Sequence, residues 1–373
     1  MPFDALFQPL SLGAIELRHR VVMAPLTRLR SRQPGDVPHA LNATYYGQRA
    51  SEGGLIVTEA TDISEDARGY PGAPGIHAPE QVEGWRAVTE AVHAKDGRIV
   101  LQLWHTGRVS HASMRGGATP VAPSAVPARG QHMDAQGRPV AFETPRPLAI
   151  EEIGAIVADF RRAAQNAKAA GFDGVEVHGA NGYLIDQFLQ DGTNRRTDAY
   201  GGPVENRARF LFEVVDAASE VWGAERVGVR VSPWGRSNDM GDSDHEGLFD
   251  HVAAELGRRR VAYLHVVEPR ADQGSDVNAL DASAPDASAR FRARFGGQVI
   301  AAGGFTAETG AAAVAEGRAD AVAYGRLFIA NPDLPERFRR GAALNRHDRS
   351  TFYGGDAKGY TDYPFLDETA RAA

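Results

Sequence analysis

Within HGANGY, residues 178–183, a histidine, an asparagine and a tyrosine stand at positions 178, 181 and 183. His178 and Asn181 can each donate a hydrogen bond while neutral, and Tyr183 carries a phenolic proton. Such a set grips a carbonyl or nitro oxygen without a metal and can place a proton beside it. Gly179 and Gly182 thin the turn, which predicts room for something flat to lie against it. A plainer reading has Asn181 capping the following helix GYLIDQFLQ and Tyr183 anchoring it. Alone, the turn favours the plainer reading; its place among the elements decides.

The turn follows Gly174–His178, one of eight short apolar runs along the chain. The others are Arg20–Ala24, Gly54–Glu59, Arg98–Trp104, Val227–Val231, Ala262–Val267, Gln298–Ala302 and Asp320–Tyr324. Most are continuously apolar or β-branched, as parallel strands buried on both faces should be. The segments between have helical period. In Ile150–Ala170, the residues Ile153, Ile156, Val157, Phe160, Ala164 and Ala167 form one stripe, with Gly171 at the expected C-cap. Eight β-α units predict the α/β class and a (β/α)8 TIM barrel, one domain over residues 1–373. A doubly wound sheet is the alternative, but no G-x-G-x-x-G follows any strand. Residues 106–147, rich in Gly, Pro and polar side chains, predict a capping insertion between strands three and four. The aromatic tail Ser350–Leu366 is either a surface strap or a segment folding back over the barrel mouth.

Chemistry in such barrels lies at the C-terminal ends of the strands. There the first strand gives Pro25-Leu26-Thr27, the second Glu59-Ala60-Thr61, and the third Gln102 and Trp104. The fourth delivers His178, Asn181 and Tyr183, and the fifth Arg230; the seventh runs into Gly303-Gly304 and the eighth into Gly325-Arg326. Glycines after strands seven and eight suit a phosphate held by backbone N–H groups, with Arg326 adding charge. Gln102 matches an amide-like edge, and Arg230 is a permanent cation that needs a partner when buried. Together they suit a phosphate-bearing heteroaromatic ring that accepts negative charge, a reduced flavin mononucleotide.

Composition narrows the classes. A formal charge of −7 and pI near 6.0 leave no electrostatic footprint for nucleic acid or an anionic membrane. Only Lys95, Lys168 and Lys358 are lysines. The absence of cysteine excludes disulfides, thiolate nucleophiles, cysteine zinc sites and iron–sulfur clusters. No membrane-length apolar stretch or signal-like N-terminus occurs, which predicts a cytoplasmic protein; monomer and homodimer both stay open. His105, His111 and His178 could suggest a metal, with Glu176 on the strand face of His178, but no recognised ligand spacing supports one. Asp242 and Asp356 read as solvated loop charges.

The ordered motifs RHRVVMAPLTR (18–28), GLIVTEAT (54–61), VLQLWHTGR (100–108) and GFDGVEVHGANGYLIDQFL (171–189) resemble the old yellow enzyme family of flavin-dependent ene-reductases. TNRRTDAYGGPVENRARF (193–210), DAVAYGR (320–326) and FYGGDAKGYTDYP (352–364) extend the resemblance nearly end to end. It implies FMN contacts at Pro25, Thr27, Ala60, Gln102, Arg230, Gly303, Gly304, Gly325 and Arg326. It also implies an oxygen-binding pair, His178 and Asn181, a proton donor, Tyr183, and substrate-pocket aromatics at Tyr70, Trp104 and Tyr353. NADPH or NADH would reduce the flavin and leave, and an electron-poor alkene would take its place. Such alkenes include unsaturated aldehydes and ketones, maleimides and nitroalkenes; nitro compounds and nitrate esters are further substrates it implies. Family members carry Asn or His where this chain has Asn181, and some carry cysteine where it has Thr27. Residues 106–147 and 270–287 match the family poorly. A flavin-free phosphate-binding barrel lyase is the competing reading, though the expected Schiff-base lysine or metal cluster is missing.

Overall fold

A computed structural model describes residues 3–269, 280–281, 284 and 286–366. Eight parallel strands close a barrel: β1 (Val21–Met23), β2 (Leu55–Val57), β3 (Arg98–Trp104), β4 (Gly174–Gly179), β5 (Val227–Val231), β6 (Tyr263–Val267), β7 (Val299–Ala302) and β8 (Ala321–Tyr324). Each pairs with the next in sequence, and β8 returns to β1. Every expected strand is present, with ends within two residues of the apolar runs. Helices cover the outside, among them α1 (Ala40–Arg49), α2 (Pro79–His93), α3 (Ile150–Ala169), α4 (Leu184–Leu189) and α5 (Arg209–Trp222). The doubly wound alternative is thereby overturned, because an open sheet cannot pair its last strand with its first.

The two-residue period of a strand sorts the side chains. Outward residues such as Ile99, Leu101, Val175, Val177, Val229 and Leu264 join one large core beneath the helices. Inward, the lower barrel is apolar: Val22, Leu55, Val57, Val100, Ile300 and Ala321 pack with the hairpin Leu10–Leu12/Ile15–Leu17, which plugs the floor. Gly228 leaves room for the Tyr263 ring inside the barrel, since a Cβ there would lie 2.1 Å from it. Higher up, the inward positions of β3–β6 turn polar, with Gln102, Glu176, His178, Arg230 and His265 all buried. The opposite wall stays small, with Ala24, Ala302 and Ala323. One half of the barrel interior below the mouth is therefore lined by polar side chains and the other by small ones.

Helix α3 ends as its sequence requires. Ala170 is the C-cap and Gly171 takes φ of +86°, which a glycine adopts without strain. Residues 106–147 hold a hairpin, Gln131–Met133 against Pro139–Ala141, and a short parallel pair of Val121–Ala122 with Arg146–Pro147. His132 on the hairpin reaches the Gly69 carbonyl at 2.6 Å and sets its ring centre 4.8 Å from that of Tyr70, edge to face. The tail folds back over the mouth: the Gly354 N–H donates to the Arg28 carbonyl at 2.9 Å, and Tyr353 comes near Tyr70 and Tyr183. Most of the loop 270–287 lies outside the described residues.

Candidate active site

Strand β4 ends in the turn that carries the chemistry. His178 pairs in register with Arg230 of β5, which in turn pairs with His265 of β6. Burial holds the His178 imidazole well below its usual pKa, and Arg230 and then His265 push the same way, so the ring is neutral. Its Nδ1 accepts the Ala180 N–H at 3.4 Å, which leaves Nε2 to carry the proton and donate. Tyr183 stands with its ring 5.1 Å from that of His178, edge to face. Burial lifts the Tyr183 phenol well above its usual value, and the phenols of Tyr70 and Tyr353 add to this. Both groups are thus neutral proton carriers at neutral pH.

Asn181 sits in the left-handed region at φ +58°. It does not cap α4: Tyr183 occupies the N-cap position, and no side chain caps there. The capping reading of Asn181 therefore fails, because the residue lies two positions too early. The room left by the two glycines is filled by the chain itself. A Cβ on Gly182 would lie 2.7 Å from the Ser237 carbonyl, and one on Gly179 would lie 3.1 Å from that of Arg230. They admit neighbouring backbone instead of the flat ligand expected from sequence.

Trp104, at the end of β3, is the hub of an aromatic wall. Tyr70 stacks on it at 5.6 Å, Tyr183 meets it edge-on at 4.8 Å, and His178 lies 6.5 Å away. Ala60 is buried beside it with Leu29 and Ala73. Tyr353 is 61% exposed on the tail, near enough to Tyr70 and Tyr183 to act on both. Arg28, Arg30 and Arg49 hold the part of that tail nearest the mouth, and Arg337 donates to the Pro364 carbonyl at 2.9 Å. Arg28 donates to the carbonyls of Phe352 and Gly359 at 2.9 and 2.8 Å and to the Tyr45 hydroxyl at 3.0 Å. Arg30 reaches the Thr351 and Asp356 carbonyls, both at 2.9 Å, and Arg49 the Tyr360 carbonyl at 3.1 Å. Tyr360 stacks on Tyr45 with ring centres 3.9 Å apart.

Below the wall lies a network that sequence reasoning passed over. Gln102 donates its Nε2 to Glu176 at 2.7 Å, and His265 Nδ1 contacts the other Glu176 oxygen at 2.8 Å. Burial alone would raise the Glu176 carboxyl, but His265, Arg230 and Gln102 outweigh it and hold it below the usual range. The buried anion therefore compensates the Arg230 cation and orients Gln102 so that its Oε1 is left to accept. A Glu two residues before His178 on the same strand face was the available signal. Among the described residues no group of acidic residues and histidines is placed to hold a metal ion.

The remaining strand ends carry Pro25 and Thr27, half-buried after β1, and the glycines after β7 and β8. Gly303 and Gly304 have φ of +140° and +102°, open to glycine and costly for other residues. Gly325 precedes the half-buried Arg326 at the start of helix Arg326–Ala330. An acceptor on Gln102, a compensated cation at Arg230 and exposed backbone at Gly304 fit a flavin with its phosphate. Asp356 is exposed as expected, but Asp242 is not a solvated charge. Its fully buried side chain pairs with Arg207 and accepts the Asp191 N–H at 2.7 Å, tying the loop after β5 to that after α4.

The comparisons with known proteins agree with this geometry. Residues 5–345 match the profile of the NADH:flavin oxidoreductase / NADH oxidase family. The flavin oxidoreductase hxnT of Emericella nidulans is 48% identical, with 98% of each chain covered. The 12-oxophytodienoate reductase 2 of Arabidopsis thaliana is 48% identical, over 98% of this chain and 96% of that one. Morphinone reductase superposes with a TM-score of 0.92 at 53% identity, over 98% and 97% of the two chains. Its complex with tetrahydroNAD gives 0.90 at the same identity. Nothing in these likenesses supports the flavin-free lyase. The chain belongs to the NADH:flavin oxidoreductase / NADH oxidase family, and is an FMN-dependent, nicotinamide-reduced oxidoreductase of the old yellow enzyme type.

Proposed function

We propose that this oxidoreductase reduces electron-poor alkenes: unsaturated aldehydes and ketones, maleimides and nitroalkenes. Nitro compounds and nitrate esters are included in the proposed range. The observation that carries the reading is the neutral His178 donor beside a Tyr183 phenol that stays protonated, both in the mouth of the barrel. Bound FMN supplies hydride taken from NADPH or NADH. Gln102, Arg230 and Thr27 would meet its ring edges, Pro25 and Ala60 its faces, and Gly303, Gly304, Gly325 and Arg326 its phosphate.

The chain's own part is polarisation and protonation. His178 and Asn181 bind the activating oxygen, and their hydrogen bonds strengthen as charge grows on it. Tyr183 gives its proton to the carbon next to the activated group. Tyr70, Trp104 and Tyr353 exclude water and set the width of the opening, and the hairpin of residues 131–141 backs Tyr70 as a cap. Relatives named for reducing 12-oxophytodienoate and morphinone support a substrate that carries an oxygen.

Two measurements test this. The purified protein should be yellow, with the absorption bands of FMN. Tyr183→Phe should slow alkene reduction about 100-fold, in the range of general acid catalysis, while flavin reduction by NADPH or NADH stays nearly intact. Equal loss of both half-reactions would remove Tyr183 from the proton-donor role.

A further inference from the structure

We propose that Asp186 is a positioning residue for Asn181, acting with Ser232 to hold the 181–182 backbone so that the Asn181 amide meets the substrate oxygen. The proposal rests on the oxygen-binding reading of His178 and Asn181 given above.

Asn181 and Gly182 lie in a turn, where no sheet ladder satisfies the backbone. Side chains do so instead. The fully buried Asp186 carboxyl accepts the Gly182 N–H at 2.8 Å. The Ser232 hydroxyl accepts the Asn181 N–H at 2.8 Å and itself bonds to Asp186. From the far side Asn238 donates to the Asn181 carbonyl at 2.8 Å. A left-handed residue is strained unless its surroundings over-determine it, and here each neighbouring peptide group has a fixed partner.

Asp186 is the third residue of α4, the position from which an acid reaches back to the N–H groups ahead of a helix. A neutral side chain could do as much without the cost of burying a carboxylate, which is several kcal/mol for an uncompensated ion. The groups acting on it are Gln190 of its own helix, donating at 2.7 Å, Ser232 from the end of β5, and Arg108 from the loop after β3. Arg108 also bonds to the carbonyls of Asn238 and Asp239 at 2.8 and 3.1 Å, so it braces the loop that holds Asn181 from the far side. Burial lifts the Asp186 carboxyl to about 7, against the pull of its donors. The ionised form accepts from all of them; a proton on it takes one acceptor away. Substrate binding should then weaken as pH falls through neutrality.

The test is a double-mutant cycle on FMN-loaded protein, reading the dissociation constant of 2-cyclohexenone from the flavin spectrum. Asn181→Ala and Asp186→Ala should each weaken binding about 10-fold, and the double variant should be no weaker than Asn181→Ala alone. Asp186→Asn keeps an acceptor for Gly182, so it should bind within about twofold of the parent and lose the pH dependence between about 6 and 8. Losses that multiply in the double variant would overturn the proposal while leaving the Asn181 reading intact. Should Asn181→Ala alone bind normally, the oxygen-binding reading itself is wrong and the proposal falls with it. If Asp186→Ala fails to fold, Ser232→Ala replaces it in the cycle, and an Asp186→Asn profile that still follows pH overturns the idea.

Discussion

At the scale of residues, the site divides into groups that face the mouth and groups that hold them. The first kind was legible: HGANGY names its donors outright, and Gln102 and Arg230 are polar residues in otherwise apolar strands. The second kind was not, because Glu176 and Asp186 acquire meaning only when their partners arrive from distant strands and loops. Glu176 shows why this matters. It joins Gln102, His265 and Arg230 in one buried cluster, and its negative charge offsets the guanidinium there. Glu176→Gln should leave Arg230 less compensated and Gln102 free to turn. FMN affinity should fall about tenfold, the value of one charge-assisted hydrogen bond, and the bound flavin's midpoint potential should rise. A potential equal to that of the parent, measured by dye-coupled titration, would reduce Glu176 to a packing role.

At the scale of elements, the strands were readable to within two residues because burial on both faces leaves a continuous apolar signature. The tail was not. Its glycines and aromatics allow a strap or a lid, and the choice is made by Arg28, Arg30 and Arg49, which lie over 300 residues earlier in sequence. Those arginines spend their donors on tail carbonyls, a pattern that no local rule reveals. Asp242 was misread for the same reason, since its partner Arg207 sits on another connection. Arg28→Ala should cost at least about 2 kcal/mol through orphaned carbonyls. It should also expose residues 348–366 to limited proteolysis and raise KM for bulky alkenes as Tyr353 loses its seat. Unchanged proteolysis and KM would show that Arg30 and Arg49 suffice.

At the scale of the whole molecule, the barrel is polar on β3–β6 and small on the opposite wall, above an apolar floor closed by the N-terminal hairpin. Inward residues emerge from counting strand positions by two, so this asymmetry was readable once the strands were placed. What counting could not supply was which buried charges compensate which. A mouth that holds the Arg230 cation and open glycine backbone is suited to gain stability from a bound anion. Removing FMN should lower Tm, and adding it back at about 1,000 times its Kd should restore about 4 kcal/mol. An apoprotein that melts at the same temperature with and without FMN would mean that the folded barrel does not bind the cofactor.

The backbone at position 181 has a consequence for how such an enzyme can change. With φ at +58°, the residue sits where asparagine, aspartate and histidine are several-fold more common than other side chains. Of those three, aspartate loses its donor at neutral pH, and asparagine and histidine keep theirs. These are the two residues that the resembling family alternates between. Conformation thus draws up the shortlist before any substrate does. The two are also neighbours in the genetic code, so a lineage can exchange an amide for an imidazole without rebuilding the turn.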